Sequence, residues 1–88
     1  MNEDAGNGNK GKPKYSPDTI LKKMIEKNFV YHPPKDDQPK RYEEIRRRGK
    51  NFAVYLSKNV PYSPELTLAI RDLERCVMFA NAAIARHE

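Results

Sequence analysis

Residues 76–88 read CVMFANAAIARHE, and the ten positions from Cys76 to Ala85 carry no charge, although 33% of the chain is charged. An amphipathic helix buries one apolar stripe, so a segment that is apolar on several faces needs more cover than a single neighbouring helix provides. The chain has only 88 residues, and a chain that short buries only about 60% of the surface that its unfolded form exposes, which leaves its stability marginal. This segment therefore predicts a homo-oligomer.

Two periodic apolar patterns predict a long helical hairpin. Ser63-Pro64-Glu65 signals the start of a helix, and apolar residues follow it at steps of three and four as far as Ile84. A similar pattern predicts a helix from Lys40 to Val60, where Pro61 ends it. Because a tight connection joins two helices of roughly twenty residues, we expect them to run antiparallel.

The N-terminal part of the chain predicts a disordered arm and one short helix. Residues 1–14 hold almost no side chain that can pack, so folding would not offset the entropy lost on ordering them. Ser16 followed by Pro17 predicts the start of a helix that ends near Asn28. The predicted organisation is an arm over residues 1–14 and an all-α domain over residues 15–88, with the short helix before the hairpin.

Composition favours a binding protein over an enzyme. A net charge of +5, from 17 basic and 12 acidic residues, suits an anionic ligand. His32 lies in a rigid, proline-rich loop over residues 30–39, and neither it nor His87 stands in a pattern typical of a nucleophile with its base or of a metal site. We therefore predict no catalytic residue, no metal and no cofactor. The sequence also lacks the motifs of a specific nucleic-acid binder.

Cysteine content and hydropathy predict a cytoplasmic protein that does not enter a membrane. A single cysteine, Cys76, cannot form an intrachain disulfide and fits a reducing compartment. No apolar stretch reaches the roughly 18 to 20 residues that a membrane span requires, and residues 1–10 lack the apolar centre of a signal peptide.

Arg46 is a candidate phosphate-binding residue. It flanks the apolar stripe of the second predicted helix and lies four residues after Tyr42, so it can place a guanidinium fork beside an aromatic ring. For the two arginines that follow, we favour a solvated helix face held by ion pairs four residues apart. These pairs are Glu43 with Arg47 and Glu44 with Arg48.

Gly49, Asn81 and Phe79 are further positions that need an explanation. Glycine inside a helix costs about 1 kcal/mol relative to alanine. For Gly49, the favoured reason is the close approach of a neighbouring helix. Asn81 is an amide within an apolar run, so we expect it to bond to a neighbouring subunit or to a ligand. Phe79 can pack at a subunit boundary or stack on a base.

Four motifs together resemble the small phage helical-hairpin family that includes the anti-CBASS and anti-Thoeris nucleotide sponges. They are YHPPK at 31–35, QPKRYEEIR at 38–46, SPE at 63–65 and LERCVMFANAAIAR at 73–86. The resemblance extends from about Phe29 to Glu88. It implies a non-catalytic protein that sequesters cyclic nucleotide signals of bacterial immunity in the cytoplasm of the infected host cell.

The resemblance also implies a class of ligand and a set of contacts. Ligands in the family include cyclic dinucleotides, cyclic trinucleotides and glycocyclic ADP-ribose, and pockets form between subunits of assemblies from dimers to hexamers. Phe79 stands where the family pattern leads us to expect tryptophan, which leaves the choice of ligand open. The implied ligand-binding residues are Tyr31, His32, Pro34, Lys35, Arg41, Tyr42, Arg46, Phe79, Asn81 and Arg86.

Two other functions remain as alternatives at this point. The first is a small helical phage adaptor that binds a host protein through the uncharged face of its C-terminal helix. The second, ranked below it, is a hydrolase of cyclic nucleotides, for which the sequence offers neither a metal cluster nor a paired acid and base.

Overall fold

The computed structural model describes residues 13–88, which contain three α-helices. These are α1 over Thr19–Asn28, α2 over Gln38–Asn59 and α3 over Pro64–His87. The described residues fall into two units, one that ends at Val30 and one from Tyr31 to Glu88. The predicted all-α class is confirmed, since the described part of the chain contains no strand. The predicted arm lies almost wholly outside the described residues and stays a prediction.

The first unit contains α1, which begins later than the sequence pattern predicts. Asp18 Oδ1 accepts a hydrogen bond from the Leu21 backbone amide at 2.8 Å, so Asp18 rather than Ser16 is the N-cap. Aspartate caps as well as serine does, and its charge also suits the positive end of the helix. α1 ends at Asn28, as predicted.

The second unit begins with the loop that leads into α2. α2 starts at Gln38, two residues before the predicted Lys40, because Pro39 fits the first helical turn, where no helix hydrogen bond needs its amide. A tight turn precedes the helix: Gln38 N donates to Lys35 O at 2.9 Å, and Asp36 has a φ of 53°. Aspartate is among the few residue types that tolerate this left-handed conformation.

α3 begins where the sequence predicts. Ser63 is its N-cap, and Ser63 Oγ accepts a hydrogen bond from the Leu66 amide at 3.1 Å. Pro64 is the first helical residue, and Glu65 lies in the first turn near the positive end of the helix dipole. The Ser-Pro-Glu signal is therefore confirmed.

α2 and α3 pack against each other as an antiparallel hairpin. Gln38 at the start of α2 contacts Glu88 just after α3, and Gly49 meets Val77 midway along both helices. A Cβ atom on Gly49 would lie 2.6 Å from Val77 Cγ2. The missing side chain thus lets the two helices approach closely, which confirms the favoured explanation for Gly49.

The hairpin has a narrow, partly exposed core. Leu66 is its most buried apolar residue at 8% exposure, and no large side chain in residues 13–88 is fully buried. The apolar spacing of the second predicted helix also predicts that Phe52 and Val60 point inward, and this is wrong, because they are 51% and 36% exposed. Two helices cover one narrow seam, and Phe52 lies outside it, stacked on Tyr55 with ring centroids 6.5 Å apart.

Within the part of the chain that the structure describes, no helix combines the length and the apolar character that crossing a bilayer requires.

Candidate functional site

α2 and α3 form the walls of an open groove of about 950 Å³. Its lining is largely apolar and includes Val77 and Leu73 of α3. Four of the lining residues are small, so they take up little of this space. These small residues are Gly49, Ala53, Ala82 and Ala85. A mostly apolar groove with a few polar groups is typical of a small-molecule binding site.

Four of the residues predicted from the sequence meet in this groove. Tyr42 and Arg46 project from successive turns of α2, Asn81 comes from α3, and His32 comes from the loop before α2. They bring together a cation, an amide, an aromatic ring and an imidazole. This combination can bind a phosphate group and a heterocyclic base at the same time.

The groove also contains two charged residues that the sequence reasoning missed. Lys50 lies on α2 and Glu74 on α3. Lys50 follows Arg46 by four residues, so it shares a helix face with Arg46, and that spacing was a signal that could have identified it. Glu74 lies seven residues before Asn81, which again places both on one face of the helix.

Asn81 contributes a buried, unsatisfied polar atom next to the groove. Its Oδ1 atom is buried and has no hydrogen-bond partner. An unsatisfied buried acceptor costs about 1–3 kcal/mol, so a native protein retains one where a ligand, water or partner satisfies it. Asn81 also lines the groove, so a rotation of its side chain would bring this oxygen to a bound molecule.

Arg46 differs from Arg47 and Arg48, because those two arginines share one carboxylate as their partner. Arg47 Nη2 and Arg48 Nε donate to Glu44 Oε2 at 2.6 and 2.8 Å. The predicted pair of Glu43 with Arg47 is thus wrong, because Glu44 lies within one helical turn of both arginines. Hydrogen bonds from Arg47 and then Arg48 lower the pKa of Glu44 to about 2. Arg46 lines the groove instead.

Lys35 and Arg41, two further predicted residues, lie in a separate cluster with Gln38 and Glu88, which we call the Glu88 clasp. Arg41 donates to both carboxylate oxygens of Glu88, at 2.9 Å from Nη1 to Oε2 and through Nη2 to Oε1. Gln38 Nε2 donates to Glu88 Oε1 at 3.2 Å, and Lys35 Nζ donates to Glu88 O at 3.0 Å.

The Glu88 clasp joins residues about fifty positions apart, so no local sequence pattern indicates it. Sequence reasoning missed Gln38 and Glu88 for that reason. Hydrogen bonds from Arg41 and then Gln38 lower the pKa of Glu88 to about 2, and the carboxylate in turn raises the pKa of Arg41. The clasp adjoins the groove at Tyr42, whose hydroxyl lies 3.5 Å from Gln38 Oε1.

The structure does not bring the other predicted residues to the groove. Tyr31 and Phe79 are 78% and 67% exposed, Pro34 is exposed, and Arg86 is half-buried near the end of α3. Their assignment as ligand contacts stays a prediction. Residues 13–88 contain no group of three or more His, Cys, Asp and Glu side chains placed to hold a metal ion.

No curated protein and no solved structure matches this chain significantly. A protein-family model does match, over residues 22–85, and its description is the Acb2/Tad1 hairpin domain. The matched span holds most of the chain and includes all of α2. The resemblance to the anti-CBASS and anti-Thoeris sponge family is thereby confirmed. The chain belongs to the Acb2/Tad1 hairpin-domain family.

Proposed function

We propose that this protein is a non-catalytic sponge that binds a cyclic nucleotide signal and withholds it from the effectors of bacterial anti-phage defence. Its place of action is the cytoplasm of the infected cell. One observation carries the proposal: in a member of this family, Asn81, whose amide oxygen is buried without a partner, lines the same groove as Arg46 and Tyr42. The ligand classes are cyclic dinucleotides, cyclic trinucleotides and glycocyclic ADP-ribose.

The groove residues suit the parts of such a ligand. The Arg46 guanidinium binds a phosphate through two parallel N–H donors, and Lys50 adds positive charge nearby. The Tyr42 ring supplies a face for a base, and base stacking on an aromatic ring contributes about 1–3 kcal/mol. Asn81 Oδ1 accepts a hydrogen bond from an exocyclic amine. Binding of this kind requires no general base and no metal ion.

A homo-oligomer, from a dimer to a hexamer, forms the second part of the proposal. A single hairpin leaves Met78 and Phe79 of α3 61% and 67% exposed within the uncharged run of that helix. Contact between copies would cover these side chains and exclude water from the groove, which strengthens hydrogen bonds to phosphate. The predicted contacts at Tyr31, Pro34 and Arg86 belong with this assembly.

Calorimetry with the three ligand classes tests the proposal, with Arg46→Ala as the informative variant. We expect Arg46→Ala to weaken binding by about 1.5–3 kcal/mol, the range for a hydrogen bond to a charged group, while the melting temperature stays nearly constant. Arg47→Ala is the matched control, because it removes an equal charge from the adjacent residue, which pairs with Glu44. Its affinity should equal that of the wild type.

The same samples separate a sponge from the two other functions. Heating the complex should release intact ligand, whereas a hydrolase would release a cleaved product. No heat with any of the three ligand classes would overturn the proposal. The helical adaptor would then be favoured, because the exposed Phe79 and Met78 offer an apolar contact surface to a host protein.

A further inference from the structure

The Glu88 clasp has the donor set of an oxyanion site. The carboxylate of Glu88 accepts hydrogen bonds from both terminal nitrogens of Arg41 and from the side-chain amide of Gln38. The Lys35 ammonium donates to the backbone oxygen of Glu88. A guanidinium fork binds a carboxylate and a phosphate through the same pair of parallel hydrogen bonds. The chain's own carboxylate therefore occupies a position that suits a phosphate group.

The buried side chain of Gln38 distinguishes this cluster from a group of surface charges. It is 3% exposed, the most buried polar residue in the described part of the chain. Its Oε1 accepts a hydrogen bond from the Lys35 amide at 3.1 Å, which directs the Nε2 donors toward Glu88. Gln38 is also the first residue of α2, where the helix dipole favours an anion.

The charges around the clasp favour an anion when Glu88 is absent from it. Asp37 Oδ2 lies 3.3 Å from Arg41 Nε, in an ion pair. That nitrogen is buried and its geometry with Asp37 does not form a hydrogen bond. With Glu88 in place, two cations face two carboxylates. Once the Glu88 side chain leaves, one carboxylate fewer offsets Lys35 and Arg41. Lys40 and Glu44 border the same surface as Asp37 and Arg41, and Glu44 is already paired with Arg47 and Arg48, so the site keeps a net positive charge.

We propose that Lys35, Gln38 and Arg41 form a phosphate-accepting site, and that the Glu88 side chain closes it as an internal competitor. A phosphate group that enters displaces the carboxylate and releases the end of α3 from the start of α2. Only the molecules in which Glu88 has left the site can bind phosphate. The apparent affinity for phosphate is therefore the affinity of the open site multiplied by the fraction of molecules that are open. This site is separate from the groove, and the inference does not rest on the proposed function.

Titration with inorganic phosphate tests the inference, with Glu88→Ala as the variant that opens the site. We expect Glu88→Ala to bind inorganic phosphate at least tenfold more tightly than the wild type. Glu43→Ala removes an equal charge at an exposed position of α2, outside the clasp, and this variant should bind inorganic phosphate as the wild type does. Arg41→Gln in the Glu88→Ala background should abolish the gain.

Several outcomes would overturn the inference. One is an equal affinity of Glu88→Ala and the wild type, which would leave the clasp a purely structural tie. Another is an equal gain in Glu43→Ala, which would reflect net charge alone. Adenosine monophosphate should show the same gain as inorganic phosphate, and a gain confined to the nucleotide would contradict a site for phosphate itself.

The wild-type protein provides a test that does not depend on folding of the variant. The carboxylate carbon of Glu88 and the Arg41 side-chain nitrogens give separate nuclear magnetic resonance signals. As phosphate is added, both should shift together, with the Glu88 signal moving toward that of an unpaired glutamate. A Glu88 signal that stays constant while phosphate binds would contradict displacement.

Discussion

Asn81 holds a buried, unsatisfied acceptor, so its replacement should separate stability from binding. We predict that Asn81→Leu keeps or raises the melting temperature, because it removes a buried acceptor whose isolation costs about 1–3 kcal/mol. Ligand affinity should fall, because leucine cannot bond to a base. Thermal melts and calorimetry measure the two effects. Asn51→Leu, at an exposed amide of α2, is the control for adding leucine.

A lower melting temperature with unchanged affinity in Asn81→Leu would instead identify Asn81 as a structural amide between helices or subunits.

Gly49 should be intolerant of a methyl group as long as Val77 is present. Gly49→Ala gains about 1 kcal/mol in helix propensity, but the new Cβ meets Val77 Cγ2 at 2.6 Å, and overpacking of this kind costs about 1–3 kcal/mol. We predict a net loss in the free energy of unfolding, measured by urea denaturation at constant protein concentration. In a Val77→Ala background, the same substitution should stabilise the protein. Equal effects in both backgrounds would contradict the close contact.

At the scale of the helices, the two serines of the hairpin should respond oppositely to alanine. Ser63 caps α3, so Ser63→Ala should lower the free energy of unfolding by about 1 kcal/mol. Ser57 lies inside α2 and bonds to the Val54 carbonyl, where alanine is the better helix former. Ser57→Ala should therefore be neutral or stabilising. Chemical denaturation of both variants measures the difference, and equal losses would argue against the cap.

Helices were predictable from the sequence to within about one turn because their signals are local. Ser63 and Pro64 fix the start of α3 without a competing cap nearby. The start of α1 was misplaced because Asp18 competes with Ser16 for the same role. α2 was misplaced because proline is compatible with both a loop and a first helical turn.

At the scale of the whole molecule, Phe79 should decide between a monomer and an assembly. We predict that the wild-type protein has a mass in solution of two or more chains of 10.2 kDa each. Phe79→Glu should reduce it to that of one chain, because a charge cannot be buried unpaired between copies. Light scattering during gel filtration gives the mass. Tyr62→Glu, at a 93% exposed turn residue, is the control and should leave the assembly intact.

A wild-type mass of 10.2 kDa at micromolar concentration would contradict assembly through α3.

Part of the candidate site was predictable and part was not, for a physical reason. Arg46 and Asn81 were identified because helical spacing alone places them beside the apolar seam. Lys35 and Arg41 bond to Glu88 and not to groove residues. The position of Glu88 opposite them is set by the register between α2 and α3. Register follows from packing along the whole hairpin, and the close contact of Gly49 with Val77 contributes to it.

The distance of the Glu88 clasp from the connection at Pro61 has a consequence for the order of folding. Contacts next to the connection close short loops, whereas the clasp closes a loop of about fifty residues at a higher cost in chain entropy. We therefore expect the hairpin to close from Pro61 outward and to fray from the clasp inward. Amide hydrogen exchange should be faster around Gln38 and Arg86 than around Leu66, and the reverse order would contradict this zipper.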